Sequence, residues 1–223
     1  MSLAHSPSIV MNGLILCLDA ANPKSYPGTG TTWYDLSGNG AHGTVNGTVS
    51  FVSGDSQSYF NFAIASDSNY ISSTASQNYV DMTIAFQPDF TRVSSANLAG
   101  LIADSTPAAL TDDSLRFGNV AGVGPWTIAN PGDVNDWANP TATTYYVNST
   151  VSNTLVSGWN ILGGYRTNQG VSFPVNFSYF LGSSGYTGRG FQGKLAAVYM
   201  YNRQLTASEQ TQNFNAIRGR YGI

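Results

Sequence analysis

Charge is what this chain has least of. Asp, Glu, Lys and Arg together make up 9% of its 223 residues. Nine Lys and Arg over that length form no stripe able to track a phosphate backbone, so a nucleic-acid partner is excluded. The net charge of -3 is too mild to select a strongly charged partner. Glutamate is nearly missing: Glu209 stands alone beside eleven aspartates. Two carboxyls flanking a glycosidic bond would therefore have to be aspartates, and no two of them have the i, i+2 spacing that shares a strand face. Asp112 and Asp113 are adjacent and would point apart on a strand. Histidine occurs only at His5 and His42, with no G-x-S-x-G, so no nucleophile has a base beside it in the pattern. These absences lead to the expectation that the chain is not an enzyme. The single cysteine, Cys17, excludes an intrachain disulfide and a cysteine-based metal cluster, and it fits synthesis in a reducing cytosol. No apolar run reaches the ~18 residues of a membrane span. Leu14 to Leu18 is too short for an export signal, lacks preceding basic residues and ends at Asp19. The sequons at Asn46, Asn148 and Asn176 then read as ordinary polar residues.

What is abundant is neutral polarity and aromatic bulk. Ser, Thr and Asn number 26, 20 and 20, and Tyr and Phe add 13 and 11, which excludes a disordered chain. Strand patterns dominate. Leu14 to Leu18 is a continuous apolar run of the kind buried on both faces. Val80 to Phe90 alternates, with Val80, Met82, Ile84 and Phe86 on one face and Asp81, Thr83 and Gln87 on the other. Trp159 to Tyr165, Val171 to Leu181 and Lys194 to Tyr201 read the same way. In the last, Leu195, Ala197, Tyr199 and Tyr201 oppose Ala196, Val198 and Met200. Gly-, Ser-, Asn- and Pro-rich connectors separate these runs, which indicates a sandwich or barrel. One helix is predicted, over residues 207–218. Thr206 and Glu209 form a capping box, Phe214 and Ile217 an apolar stripe, and Gly219 a C-terminal stop.

Three groups of residues are candidates for chemistry or contact. Asp35, Ser37, Asn39 and Gly40 spell D-x-S-x-N-G, the first half of a calcium loop, but the twelfth position is Asn46 where a bidentate Glu would stand. The alternative is that Asp35 and Asn39 hydrogen-bond their own turn. The G-x-G-x-x-G at Gly38, Gly40 and Gly43 opens no helix and is no dinucleotide site. Trp126 and Trp137 lie in loops and, with Tyr146, could stack on sugar rings or plug the ends of a sandwich. Trp33 and Trp159 read as structural. Ile9 and Val10 at one end and Tyr221 and Ile223 at the other are apolar and could make assembly contacts.

Two stretches carry a resemblance. Gly13-Leu-Ile-Leu-Cys-Leu-Asp-Ala20, with Asn22 to Gly28 and Asp35 to Gly40, resembles the opening of laminin-G-like domains of the concanavalin A-like lectin/glucanase superfamily. Phe191 to Arg203, followed by Leu205 to Glu209, resembles that domain's closing strand and helix. The ends, His5 to Ile9 and Asn213 to Gly222, are similar to those of structural proteins of tailed phages, particularly of marine cyanobacteria. The resemblance implies an all-β jelly-roll sandwich of two antiparallel sheets, with residues 1–12 as an arm and 13–223 as one domain. Members bind glycans, proteins or calcium at loop ends. The glucanase E-x-D-x-x-E strand is absent, so that activity does not carry over.

The expectation from these lines is a virion component, a capsid decoration or fibre protein. It would be homo-oligomeric, would contact other virion proteins, and would need no cofactor unless calcium sits at Asp35. The alternative is a carbohydrate-binding module, perhaps at a fibre tip, reading a host glycan.

Overall fold

A computed structural model describes residues 7–54, 57–73, 75, 77–91, 98–103, 114–118, 125–128, 144–165, 179–182 and 188–223. Its strands run in chain order β1 (Leu14–Asp19), β2 (Thr32–Trp33), β3 (Gly43–Asn46), β4 (Ser50–Val52), β5 (Tyr59–Phe62), β6 (Tyr70–Ser72), β7 (Asp81–Pro88) and β8 (Leu98–Ala103). Then come β9 (Ser114–Gly118), β10 (Thr127–Ile128), β11 (Tyr145–Val147), β12 (Thr150–Val151), β13 (Asn160–Tyr165), β14 (Phe180–Leu181) and β15 (Gly193–Tyr201). The helix α1 (Ala207–Ile217) follows. Most of the predicted strand at Val171 to Leu181 lies outside the described residues, and β14 is its described end.

The strands form two antiparallel sheets. The first has the order β12-β11-β13-β7-β15-β5-β4, and the second β10-β9-β8-β14-β6-β3-β2. The long β15 joins three partners of the first sheet: β7 lies along one edge, while β5 and then β1 share the other. The all-β sandwich with one C-terminal helix is therefore the observed fold. Between the sheets lies the main core. It includes Leu16, Leu18, Phe60, Phe62, Met82, Ile84, Phe86, Phe117, Leu195, Val198 and Met200.

A second apolar layer covers the outer face of the first sheet. Here Ala85, Ile161, Ala196, Ala197, Tyr199 and Tyr201 are sealed by Val10, Leu205, Ile217 and Tyr221. Leu14 and Cys17 pack against this layer, so β1 has apolar cover on both faces. The expected strict alternation of Lys194 to Tyr201 is corrected at one point. A bulge between Leu195 and Ala197 places Leu195 with Val198 and Met200 in the main core, and Ala196 with Ala197, Tyr199 and Tyr201 outside it. One extra residue in a strand reverses every later side chain, which a period-two pattern does not register.

The helix is held down by polar groups as well as apolar ones. Thr206 and Glu209 form the predicted capping box, worth ~1 kcal/mol. Arg203 pairs with Glu209 from outside. On the buried side, Gln210 donates to Asp81 Oδ1 at 2.8 Å, and Asn213 donates to Thr83 Oγ1 at 2.9 Å and Tyr201 Oη at 3.0 Å. The Val10 N–H donates back to Asn213 Oδ1 at 2.8 Å, so the opening residues share this anchor. Gly163 of β13 lies under Gln210, and any side chain at this position would collide with the amide. The expected stop at Gly219 is corrected. The chain continues through a 3-10 turn at Arg218–Arg220, and the left-handed residue is Gly222, at φ 71°.

Candidate functional site

Helix, opening residues and C-terminal tail cover only part of the outer face of the first sheet. Within the part that they leave open lies a groove of about 520 Å³. Its floor comes from adjacent positions on three paired strands: Asn61 of β5 lies opposite Lys194 of β15, which lies opposite Gln87 of β7. These three are half-buried and point outward because their neighbours Phe60, Phe62, Phe86 and Leu195 point into the core. The turn after β7 supplies Asp89, Phe90 and Thr91, the segment before β13 supplies Ser157 and Gly158, and Gln192 precedes β15. Gly193 has φ 141° and sits so close to the Gln87 carbonyl that a side chain there would clash, so glycine is required at the groove floor.

The charged groups of the groove differ in how far they are engaged. Asp89 Oδ1 accepts from the Thr91 N–H at 2.8 Å and the Thr91 hydroxyl at 2.7 Å. Its Oδ2 accepts from Gln192 Nε2 at 3.0 Å. The Thr91 hydroxyl and then the other donors hold this carboxyl below the usual carboxylate range. Lys194 Nζ lies 5.0 Å from the centre of the Tyr59 ring, and among the described residues it has no carboxylate in ion-pair reach. The amides of Asn61 and Gln87 have no hydrogen-bonded partner among the described residues. Tyr59 meets Trp159 edge-on at 6.0 Å, and Trp159 packs on Tyr221 at 4.6 Å. This aromatic row separates the groove from the helix-covered area.

The residues singled out from the sequence lie elsewhere. Trp126 is buried, stacked on Phe90 at 5.4 Å and edge-on to Phe117 at 5.8 Å. It therefore backs a groove residue and has no free face for a sugar, which corrects its reading as a platform. Trp137 lies outside the described residues. Tyr146 is half-buried on β11, level with Gly163 and Thr83; Thr83 is four residues or ~13 Å along β7 from Gln87, and β11 lies two strands further to the side. The structure does not bring Trp126 and Tyr146 together.

The calcium reading of Asp35, Ser37 and Asn39 is corrected by the donors around them. Asp35 Oδ1 accepts from the N–H groups of Cys17 and Ser37, each at 2.9 Å. Its Oδ2 accepts from the Ser37 hydroxyl at 2.8 Å and the Ala41 N–H at 3.1 Å. Asn39 Nδ2 donates to Ser37 Oγ at 3.0 Å and the Ile15 carbonyl at 3.2 Å. A carboxylate ringed by N–H and O–H donors is an anchor for its own turn, and a cation there would face those donors. The nearby Cys17 thiol is pushed up to about 12, chiefly by burial, which keeps it protonated and inert.

The expected assembly contacts are also committed within the chain. Val10 and Tyr221 are buried at 6% and 5% exposure, and Ile9 and Ile223 pack against the same layer. Val10 and Tyr221 thus spend their apolar area on the sheet, while Ile9 and Ile223 stay half-buried at its edge.

No protein-family model matches the chain, and no curated protein matches it. Solved structures do. Trypanosoma rangeli sialidase matches with a TM-score of 0.54 and 11% identity over 93% of this chain and 33% of that one. The same sialidase in complex with the inhibitor DANA gives 0.52 and 13% over 95% and 35%. Domain 4 of AbnA, a GH43 extracellular arabinanase from Geobacillus stearothermophilus, in complex with arabinotriose, gives 0.50 and 15% over 94% and 99%. The chain spans about a third of the length of the sialidases. At such identities the likeness is one of fold. It nevertheless overturns the expectation of a non-enzyme, because this sandwich recurs within chains named as sialidase and arabinanase. Scarcity of carboxylates is not a ground for excluding activity.

Proposed function

We propose that this chain is a glycan-recognition domain of the laminin-G-like, lectin-type sandwich class, formed by residues 13–223 with residues 1–12 as its arm. The carrying observation is the groove. Side-chain amides, a hydroxyl, a carboxylate and a lysine converge on about 520 Å³ of uncovered sheet beside an aromatic row. Sugars present hydroxyl donors and acceptors around apolar ring faces, and planar amides match that pattern. The arabinotriose complex of the AbnA domain supports the reading as an analogy of fold.

The test is a glycan array followed by titration calorimetry with wild type, Asn61→Ala and Gln87→Ala. The reading expects at least one oligosaccharide to bind wild type and to lose about tenfold in affinity with each variant. No binding to any glycan, or binding indifferent to both substitutions, refutes it.

A second reading is the tailed-phage setting, with other virion proteins as partners, a homo-oligomeric assembly and location in the virion. The resemblance of His5 to Ile9 and of Asn213 to Gly222 favours it. A groove that reads host glycans would suit a fibre in that setting. Mass spectrometry of purified particles tests it, and absence of the chain from them counts against it.

A further inference from the structure

We infer that the groove selects a sugar bearing a carboxylate, held by Lys194, with the sugar's hydroxyl groups directed toward Asp89. This rests on the groove being a glycan site and adds the chemical class of the ligand and its direction.

The inference follows from which polar groups are already engaged. Asp89 accepts three hydrogen bonds from Thr91 and Gln192. Its oxygens are thereby held by neutral donors, and it forms no ion pair with Lys194. Lys194 stands on the Tyr59 ring without an ion-pair carboxylate among the described residues. The Tyr59 face orients the ammonium without cancelling its charge. On either side of it in register lie Asn61 and Gln87, whose NH₂ groups add up to four donors to the three of the ammonium. Donors therefore outnumber free acceptors at this end of the groove. A carboxylate presents two acceptor oxygens together with the negative charge that matches the ammonium; a neutral sugar's hydroxyls also accept from these donors but bring no charge to pair with Lys194.

The opposite end has the opposite sign. Asp89 lies two residues beyond Gln87 on the chain of β7, and Gln192 two residues before Lys194. Two residues of extended chain separate the groups by ~7 Å, about the length of one pyranose ring with its substituents. An acidic sugar with its carboxylate at Lys194 would place ring hydroxyls, as donors, toward Asp89. In the reverse orientation the two carboxylates would face each other, so binding has one direction.

The probes are oligogalacturonate, oligoalginate and sialyl-lactose, each paired with its carboxyl-reduced counterpart and titrated into the full chain. We expect at least one acid form to bind about tenfold or more tightly than its reduced partner, and more weakly as salt rises. Lys194→Gln should erase that preference and Lys194→Arg should retain most of it. Circular dichroism and melting of both variants check that they fold as wild type does. Equal binding of acid and reduced forms that still depends on Asn61 overturns the acid selectivity and leaves the glycan reading standing. An acid preference that survives Lys194→Gln overturns the role of Lys194. Binding of neither form, with no other glycan bound, overturns both readings.

Discussion

Asp81 gives the most direct test of how the helix is held to the sheet. It opens β7 at 2% exposure beneath α1. Its carboxylate accepts from the N–H of Met82 at 2.7 Å and from Gln210 Nε2 and the Leu205 N–H, both at 2.8 Å. All three donors are neutral, and no cation is in ion-pair contact with it among the described residues. Burial outweighs the hydrogen bonds and raises the carboxyl from 3.8 to about 7. The folded value lies above the unfolded one, so the unfolded chain ionises first. The stability this group allows is full below about pH 4 and is lost as pH rises to about 7. About three pH units at ~1.4 kcal/mol each is on the order of 4 kcal/mol, or ~10 °C in Tm for a chain of this size. Asp81→Asn removes the titration. Its NH₂ must face the N–H of either Met82 or Leu205, a fixed cost of ~1–3 kcal/mol at every pH. The variant should therefore be less stable than wild type at pH 4 and more stable at pH 8, with the two curves crossing between. Asp89 and Glu209, both held below their usual values, change stability in the opposite direction. They do so equally in both proteins and cancel from the difference. Urea unfolding of both proteins from pH 4 to pH 8 is the assay, and parallel curves would refute the burial argument.

Two further outcomes follow from hydrogen bonds at loop and helix ends. Thr206→Ala removes the acceptor for the Glu209 N–H and should cost ~1 kcal/mol, read as a fall of ~3 °C in Tm, with Thr206→Ser restoring most of it. Asp35→Ala strips four donors of their acceptor and should cost on the order of 3–5 kcal/mol, seen as a lower urea midpoint. Millimolar calcium should leave the wild-type Tm where it is, because an ion bound by the native state would raise it by mass action. A clear rise would reinstate a cation at this turn.

What the sequence disclosed was whatever depends on local spacing. The capping box needs only Thr206 and Glu209 three residues apart, and it formed as read. The inward residues Met82, Ile84 and Phe86 followed from alternation alone. Features that depend on distant partners stayed hidden. Gln210 and Asn213 look like surface residues of a helix, yet they are buried because Asp81, Thr83 and Tyr201 lie beneath them. The apolar character of Ile9 and Tyr221 shows that they need cover, but that the cover is the chain's own sheet is visible only in the structure. Asp35 matches a metal pattern in one dimension, but the Cys17 and Ala41 amides that occupy its oxygens come from outside the matched positions. For the groove there was a partial signal. Asn61, Gln87 and Lys194 each interrupt an apolar strand at its outward phase, but Asp81 and Thr83 do so too and lie under the helix, so the phase marks the outer face and not its open part.

The length of the helix is what leaves that face available. Eleven residues of α-helix extend ~16 Å, whereas the nine residues of β15 extend ~30 Å, so α1 cannot cover the sheet along its strands in any orientation. Its position is then fixed by Asp81 and Thr83 at one end of β7, through Gln210 and Asn213. Gly163 lets the helix approach at that level. The C-terminal turn returns Arg220 to Asp19 at 2.5 Å and sets Tyr221 on Trp159, which closes the covered area at the aromatic row. Asp19 is nearly buried, so losing Arg220 would strand a carboxylate and loosen that closure. Gln87 and Lys194 lie beyond the row, where no side chain among the described residues hydrogen-bonds them. The polar anchors of the helix and the open groove are thus opposite ends of the same strands, and moving the helix toward the groove would bury Lys194 without a counter-charge.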